Sequence, residues 1–64
     1  MYSEASGYLR KAIELDPEYA QAYLAMGVLY YVKDQNDQAV AYFQKAHQLG
    51  AKGAMEYLEK LRGK

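Results

Sequence analysis

Laid over itself at an offset of 34 residues, this 64-residue chain meets its own pattern again. Ala5 falls on Ala39, Tyr8 on Tyr42, Leu9 on Phe43, Lys11 on Lys45, Ala12 on Ala46 and Leu15 on Leu49. Farther along, Ala20 meets Ala54, Tyr23 meets Tyr57 and Leu24 meets Leu58. A fixed period of this length marks a repeat array, in which each unit is one supersecondary element that buries its apolar face only against its neighbours. The period therefore restricts the chain to stacked copies of one small unit.

The unit is helical. Ala5, Tyr8, Leu9, Ala12 and Ile13 recur at helical spacing, which predicts a first helix over about residues 3–15. The only proline, Pro17, follows Asp16, a pair suited to an N-cap and the first helical position, so a second helix is expected from Pro17 to Val32 or Lys33. The polar stretch KDQND at 33–37 reads as a turn with capping residues Asp34, Asn36 and Asp37. A third helix follows, with Ala39, Val40, Tyr42, Phe43 and Ala46 as its apolar stripe and an end near Leu49. Gly50 and Gly53 bracket the next turn, and AMEYLEKLR forms a fourth helix with Ala54, Tyr57, Leu58 and Leu61 on one face. No segment alternates with period two, so the chain is expected to be all-α.

Composition removes several function classes. Eight basic and eight acidic side chains cancel, so no global field draws the chain to nucleic acid or an anionic membrane. Without cysteine, a disulfide, a thiolate metal site and a thiol nucleophile are all impossible. The longest nearly uncharged apolar stretch, Ala22 to Val32, falls short of the roughly 20 residues that span a bilayer. No basic-then-apolar leader opens the chain, so no targeting segment is read and a soluble, cytoplasmic protein is expected. Tyrosine is the unusual residue, with eight against one phenylalanine and no tryptophan; it supplies large buried area and a polar tip, which suits partly wet packing surfaces.

One residue is out of place by propensity. Gly27 lies in the middle of YLAMGVLYY, where a glycine costs a helix about 0.5–1 kcal/mol relative to alanine. Its neighbours resolve the question. Tyr23, Met26, Gly27 and Tyr30 on the second helix, with Ala39, Phe43 and Ala46 on the third, resemble the tetratricopeptide repeat, whose pattern runs W-x2-L-G-x2-Y, then A-x3-F, then P. The segment EASGYLRKAIELDP resembles the second helix of a preceding repeat, with Ala5, Leu9, Ala12 and Pro17 in register. The resemblance covers nearly the whole chain. It implies antiparallel helix hairpins, about four helices in a short right-handed α-solenoid, divided into the second helix of a partial repeat (1–16), one complete repeat (17–50) and a C-terminal capping helix (51–64). Gly27 is then a close-contact position, expected to meet Ala39 or another small residue on the third helix.

Three departures from the pattern bear on function. Gly50 and Ala51 stand where Asp16 and Pro17 stand one period earlier, so the last turn is expected to be looser. Leu61 takes the Gly27 position in helix four, so that helix should not receive another close-packed partner, and Glu56, Glu59, Lys60 and Arg62 give it the polar outer face of a terminal cap. The first helix lacks the partner helix of its own repeat. Part of Tyr8, Leu9, Ala12 and Ile13 is therefore expected to be exposed, forming a self-association face through which a homo-oligomer, most simply a two-fold dimer, would assemble. Exchange of helices about the 33–37 turn is a variant of the same idea.

Helix two is apolar nearly all round, as expected of a helix buried on both sides. Its second face, Leu24, Val28, Tyr31 and Val32 with Gln21 at the edge, corresponds in the resembled family to the lining of a concave groove that receives peptides. Met55, Leu58 and Arg62 would contribute from helix four; contact of these residues with helix four or with a second copy is the alternative. Family members that grip a C-terminal carboxylate place lysine, arginine and asparagine where this chain has Leu24, Ala25 and Val28, so an apolar helix or extended peptide is the expected ligand.

No catalytic set is legible, and no cofactor, metal, nucleic acid or membrane insertion is expected. His47 is the only histidine and lies off the inner stripe of its helix, with no serine nearby and no glycine-rich phosphate loop in the chain. Glu56 and Glu59 are one turn apart, but Glu56 with Lys60 is an ordinary i,i+4 surface pair. Arg10, Lys11 and Lys45 form no continuous stripe with stacking aromatics. Two function classes remain: a non-catalytic protein–protein interaction module or scaffold with an apolar groove, and a self-assembling or engineered fragment whose exposed helix faces pair with copies of itself.

Overall fold

The computed structural model describes residues 2–63 and contains four helices joined by short links: α1 (Tyr2–Leu15), α2 (Ala20–Val32), α3 (Asn36–Gln48) and α4 (Ala54–Arg62). Met1 and Lys64, the outer limits of the expected 1–16 and 51–64 segments, lie outside the described residues. No strand forms among the described residues, and the chain is an all-α solenoid of helical hairpins. α2 packs against α1 on one side and α3 on the other, and α3 packs in turn against α4. Charge placement supports three helices: Glu4, Asp37 and Glu56 lie in the first turns of α1, α3 and α4, while Lys45, His47, Lys60 and Arg62 lie in the last turns of α3 and α4. Each complements the helix dipole.

The links differ from the sequence reading in instructive ways. α2 begins at Ala20, three residues after Pro17, because Asp16 and Pro17 build a turn instead of a cap. The Tyr19 amide donates to the Asp16 carbonyl at 3.0 Å, and the Glu18 amide donates to the Asp16 carboxylate at 3.2 Å. Asp at the first and Pro at the second position favour such a turn as strongly as they favour a helix start. After α2, Asp34 adopts a left-handed conformation (φ +63°) and acts as a helix stop, not as an N-cap for α3. The Gln35 amide reaches back to the Tyr30 carbonyl at 2.9 Å and the Asp34 amide to that of Tyr31 at 3.1 Å, the paired closure of a Schellman motif.

The link after α3 repeats that closure. Gly50 stands at φ +99°, Ala51 donates to the Ala46 carbonyl at 2.9 Å, and Gly50 donates to that of His47 at 3.0 Å. Ala51 is only 3% exposed and joins Ala46 and Ala54 in a small core cluster, with Ala20, Tyr23 and Leu24 packed on it. The turn expected to be looser is thus hydrogen-bonded and anchored by one buried residue: losing Asp and Pro is offset by a glycine free to take positive φ and an alanine small enough to tuck under the helices.

The core is built mostly from small residues. Ala22, Ala39, Ala46, Ala51 and Ala54 are buried, and among the described residues the largest side chains fully removed from water are Phe43 and Met26. Small side chains let neighbouring helices approach closely, so each of those two large groups is held on every side.

Candidate binding clefts

Gly27 organises the centre of the molecule. A β-carbon added there would lie 2.6 Å from Cδ1 and Cε1 of Phe43, far inside van der Waals contact. The atoms nearest the glycine therefore belong to an aromatic ring, where the sequence pointed to a small residue, and the bare backbone leaves room for that ring. The Phe43 ring also stacks on Tyr57 of α4, with centroids 4.8 Å apart and planes 6° from parallel. Beside this contact the half-buried Tyr42 ring stacks on Tyr30 at 5.4 Å and meets Tyr23 at 6.4 Å, joining α2 to α3 through offset aromatic pairs. The ammonium groups of Lys33, Lys45 and Lys60 lie 5.4–6.0 Å from the ring centroids of Tyr30, Tyr23 and Tyr57, within cation–π range.

The residues assigned to a groove do not share one surface. Gln21, Leu24 and Val28 line a cleft of about 360 Å³ between α2 and α1. Its other walls are Ala5 and Leu9 from α1, with Ala25 and Leu29 from α2. Leu58 and Arg62 line a separate cleft of about 230 Å³, with Leu61 of α4 and Val40 and Gln44 of α3. Tyr31 packs edge-on against Tyr57 at 5.8 Å, and Val32 and Met55 are exposed. Leu24 has a second role, since its Cδ2 lies beside Gly53 and its side chain packs on the alanine cluster under α4.

Sequence reasoning set Ala25 at a groove position and Leu9 on a self-association face, and missed Ala5 and Leu29 as cleft walls. The signal that could have found the α1 walls was the 34-residue offset: Ala5 and Leu9 correspond to Ala39 and Phe43, which are completely buried, whereas the two α1 residues are only half-buried. Of the proposed self-association face, Tyr8 is 76% exposed while Leu9, Ala12 and Ile13 are half-buried. The apolar surface of α1 continues at Leu15, which is 78% exposed.

The surface offers little to chemistry. His47 is exposed on α3, and among the described residues no three His, Cys, Asp or Glu side chains gather where they could hold a metal ion. Among the same residues no helix is long and apolar enough to cross a membrane. The α1–α2 cleft is instead lined by aliphatic side chains with Gln21 as its single polar group. Such a site can bury apolar surface and fix a register with one hydrogen bond.

Neither a curated protein nor a solved structure gives a significant match to the chain. Two family models do match: one described as TPR repeat over residues 2–34, and one described as Tetratricopeptide repeat over residues 20–49. The matched spans include the Tyr23, Met26, Gly27 and Tyr30 positions whose rings and backbone seat α3, and the chain belongs to the tetratricopeptide repeat family.

Proposed function

We propose that the chain is a non-catalytic interaction module whose α1–α2 cleft receives the apolar face of a helix from another protein. Tetratricopeptide repeats generally mediate protein–protein interactions, which supports the class. The observation that carries the specific reading is the cleft itself: Leu9, Leu24, Val28 and Leu29 present aliphatic surface from two helices, with Ala5 and Ala25 leaving room between them. A helix laid into an apolar groove with anchors at i, i+3, i+4 and i+7 is a recurring mode of peptide recognition. The test is a titration with a synthetic amphipathic helix bearing a Leu/Ala face and a Lys/Glu outer face, followed by two-dimensional NMR. Saturable shifts at Leu9, Val28 and Leu29 are expected, and they should vanish in Leu9→Glu. Shifts that spread over the surface without saturating would remove the cleft from consideration.

A second reading, self-association, is supported by one observation. Tyr8 and Leu15, one face apart by seven residues on α1, are both more than three-quarters exposed, and apolar patches of this kind often mark interfaces. Sedimentation from micromolar to millimolar concentration tests it: a rising mass together with a concentration-dependent melting temperature is the expected result, and a constant monomer mass refutes it.

A further inference from the structure

The geometry points to the stacked tyrosines between α2 and α3 as a site of oxidative cross-linking, at which a one-electron oxidant joins Tyr30 to Tyr42 through a carbon–carbon bond and staples the central hairpin shut. This modification belongs to the folded chain itself and is independent of what the α1–α2 cleft binds.

The fold sorts the tyrosines by the partner each is given. Tyr30 on α2 and Tyr42 on α3 lie with centroids 5.4 Å apart and planes 7° from parallel. Tyr23 stands farther from Tyr42, at 6.4 Å, and is tilted by 35°. All three are half-buried, so they are held in place while their edges still reach solvent, where a small oxidant can take an electron. Tyr31 and Tyr57 meet edge-on at 5.8 Å and 70°, and Tyr57 is kept flat against Phe43, which has no phenol to oxidise. Tyr8 and Tyr19, 76% and 47% exposed, are open to collision with a second chain. Tyr30 and Tyr42 are thus the pair of phenols that the packing holds closest and face to face.

Oxidation of a tyrosine removes one electron from the ring and the proton from its hydroxyl. The neutral phenoxyl radical left behind carries much of its unpaired spin on the ring carbons beside the oxygen, Cε1 and Cε2. When two such radicals touch, a Cε of each forms the new bond, and the hydrogens those carbons carried pass through solvent to the two oxygens. Both hydroxyls are restored, and the net loss is two electrons and two protons. With persulfate as terminal oxidant, one persulfate ion accepts both electrons and becomes two sulfate ions. Radicals on Tyr30 and Tyr42 need no diffusion to meet, so coupling within the chain outruns coupling between chains. The parallel rings must turn towards the twist of a biphenol, and their half-buried edges leave room for it. The bond closes the loop from Tyr30 to Tyr42 and restricts the unfolded chain as a disulfide would.

The experiment illuminates the full chain with a ruthenium tris-bipyridine sensitiser and persulfate, isolates the monomer band and digests it with trypsin. Cleavage after Lys11, Lys33 and Lys45 makes Tyr42 the only tyrosine of the 34–45 peptide and puts Tyr30 in the 12–33 peptide. The expected product is these two peptides joined, lighter than their sum by two hydrogen atoms, with fragmentation placing the link at Tyr30. Tyr42→Phe and Tyr30→Phe each keep a ring in the stack without a phenol, and either should abolish the product while circular dichroism stays that of the parent. In denaturing urea the yield should fall about tenfold, because the stack that replaces diffusion is gone. A yield unchanged in urea overturns the proposal, since closeness along the chain would then suffice. A main product linked at Tyr19, Tyr23 or Tyr31, or cross-linking between chains alone, overturns it as well.

Discussion

Gly27→Ala is the most informative single substitution in this molecule because two sizeable effects oppose each other. In an isolated helix, alanine is better than glycine by about 0.5–1 kcal/mol. In the folded chain the new methyl would sit 2.6 Å from two carbons of the Phe43 ring, where ordinary carbon contacts are about 3.5–4.0 Å. The ring must therefore withdraw by about 1 Å, and it has little freedom to do so: it is fully buried and stacked on Tyr57, with centroids 4.8 Å apart. Overpacking of this kind costs typically about 1–3 kcal/mol, so the net expectation is a loss of about 1–2 kcal/mol. For a domain of this size that lowers the melting temperature by roughly 5–15 °C. Urea denaturation followed by far-ultraviolet circular dichroism reads it directly. The control is the same change in a Phe43→Leu background, where the smaller side chain leaves room and Gly27→Ala should become neutral or stabilising, a coupling of about 1–2 kcal/mol. A midpoint that rises equally in both backgrounds would show that the ring does not press on the glycine, and the account of the central interface would fail.

Gly27→Leu, which must displace the ring much farther, should cost several kcal/mol by the same assay. Asp34→Gly should raise stability by about 0.5–1 kcal/mol, since Asp34 holds a left-handed backbone (φ +63°) that glycine adopts without strain; an unchanged urea midpoint would contradict the strain. Val28→Glu should leave helical content and melting temperature close to those of the parent while abolishing helix binding in the NMR titration. Leu24→Glu should do more, lowering the melting temperature as well, because Leu24 also packs on the alanine cluster beneath α4; equal melting temperatures for the two variants would remove that second role.

The repeat offset carried most of the architecture. Helix existence, order and the face each helix buries follow from side-chain periodicity, and α4 falls over Ala54–Arg62 as its pattern predicts. Boundaries were harder where a residue pair serves two motifs: Asp16–Pro17 suits a helix start and a turn alike, and only the 3.0 Å bond from Tyr19 to Asp16 selects the turn. The partner of Gly27 was hidden for another reason. Periodicity tells which face of a helix is inward but not which atom stands opposite, and the flat Phe43 ring fits against bare backbone as well as a small residue does. The cleft required one step more. Gln21, Leu24 and Val28 share a face of α2, yet their neighbours Ala5 and Leu9 are set by how α1 crosses α2, which the spacing within either helix does not encode.

The tyrosine stack between α2 and α3 also determines how this protein can be watched. With eight tyrosines and no tryptophan, all of its near-ultraviolet emission is phenolic. Tyr30 and Tyr42 lie 5.4 Å apart and nearly parallel, with Tyr23 tilted at 6.4 Å from Tyr42, so their electronic transitions couple and give a dichroic band that no ring has alone. That band vanishes once the helices separate, even while each remains helical. The exposed Tyr8, by contrast, contributes an uncoupled, solvent-quenchable signal from the open end of the molecule. The chain thus carries two built-in optical reporters, one for the closure of its central hairpin and one for whatever settles on α1.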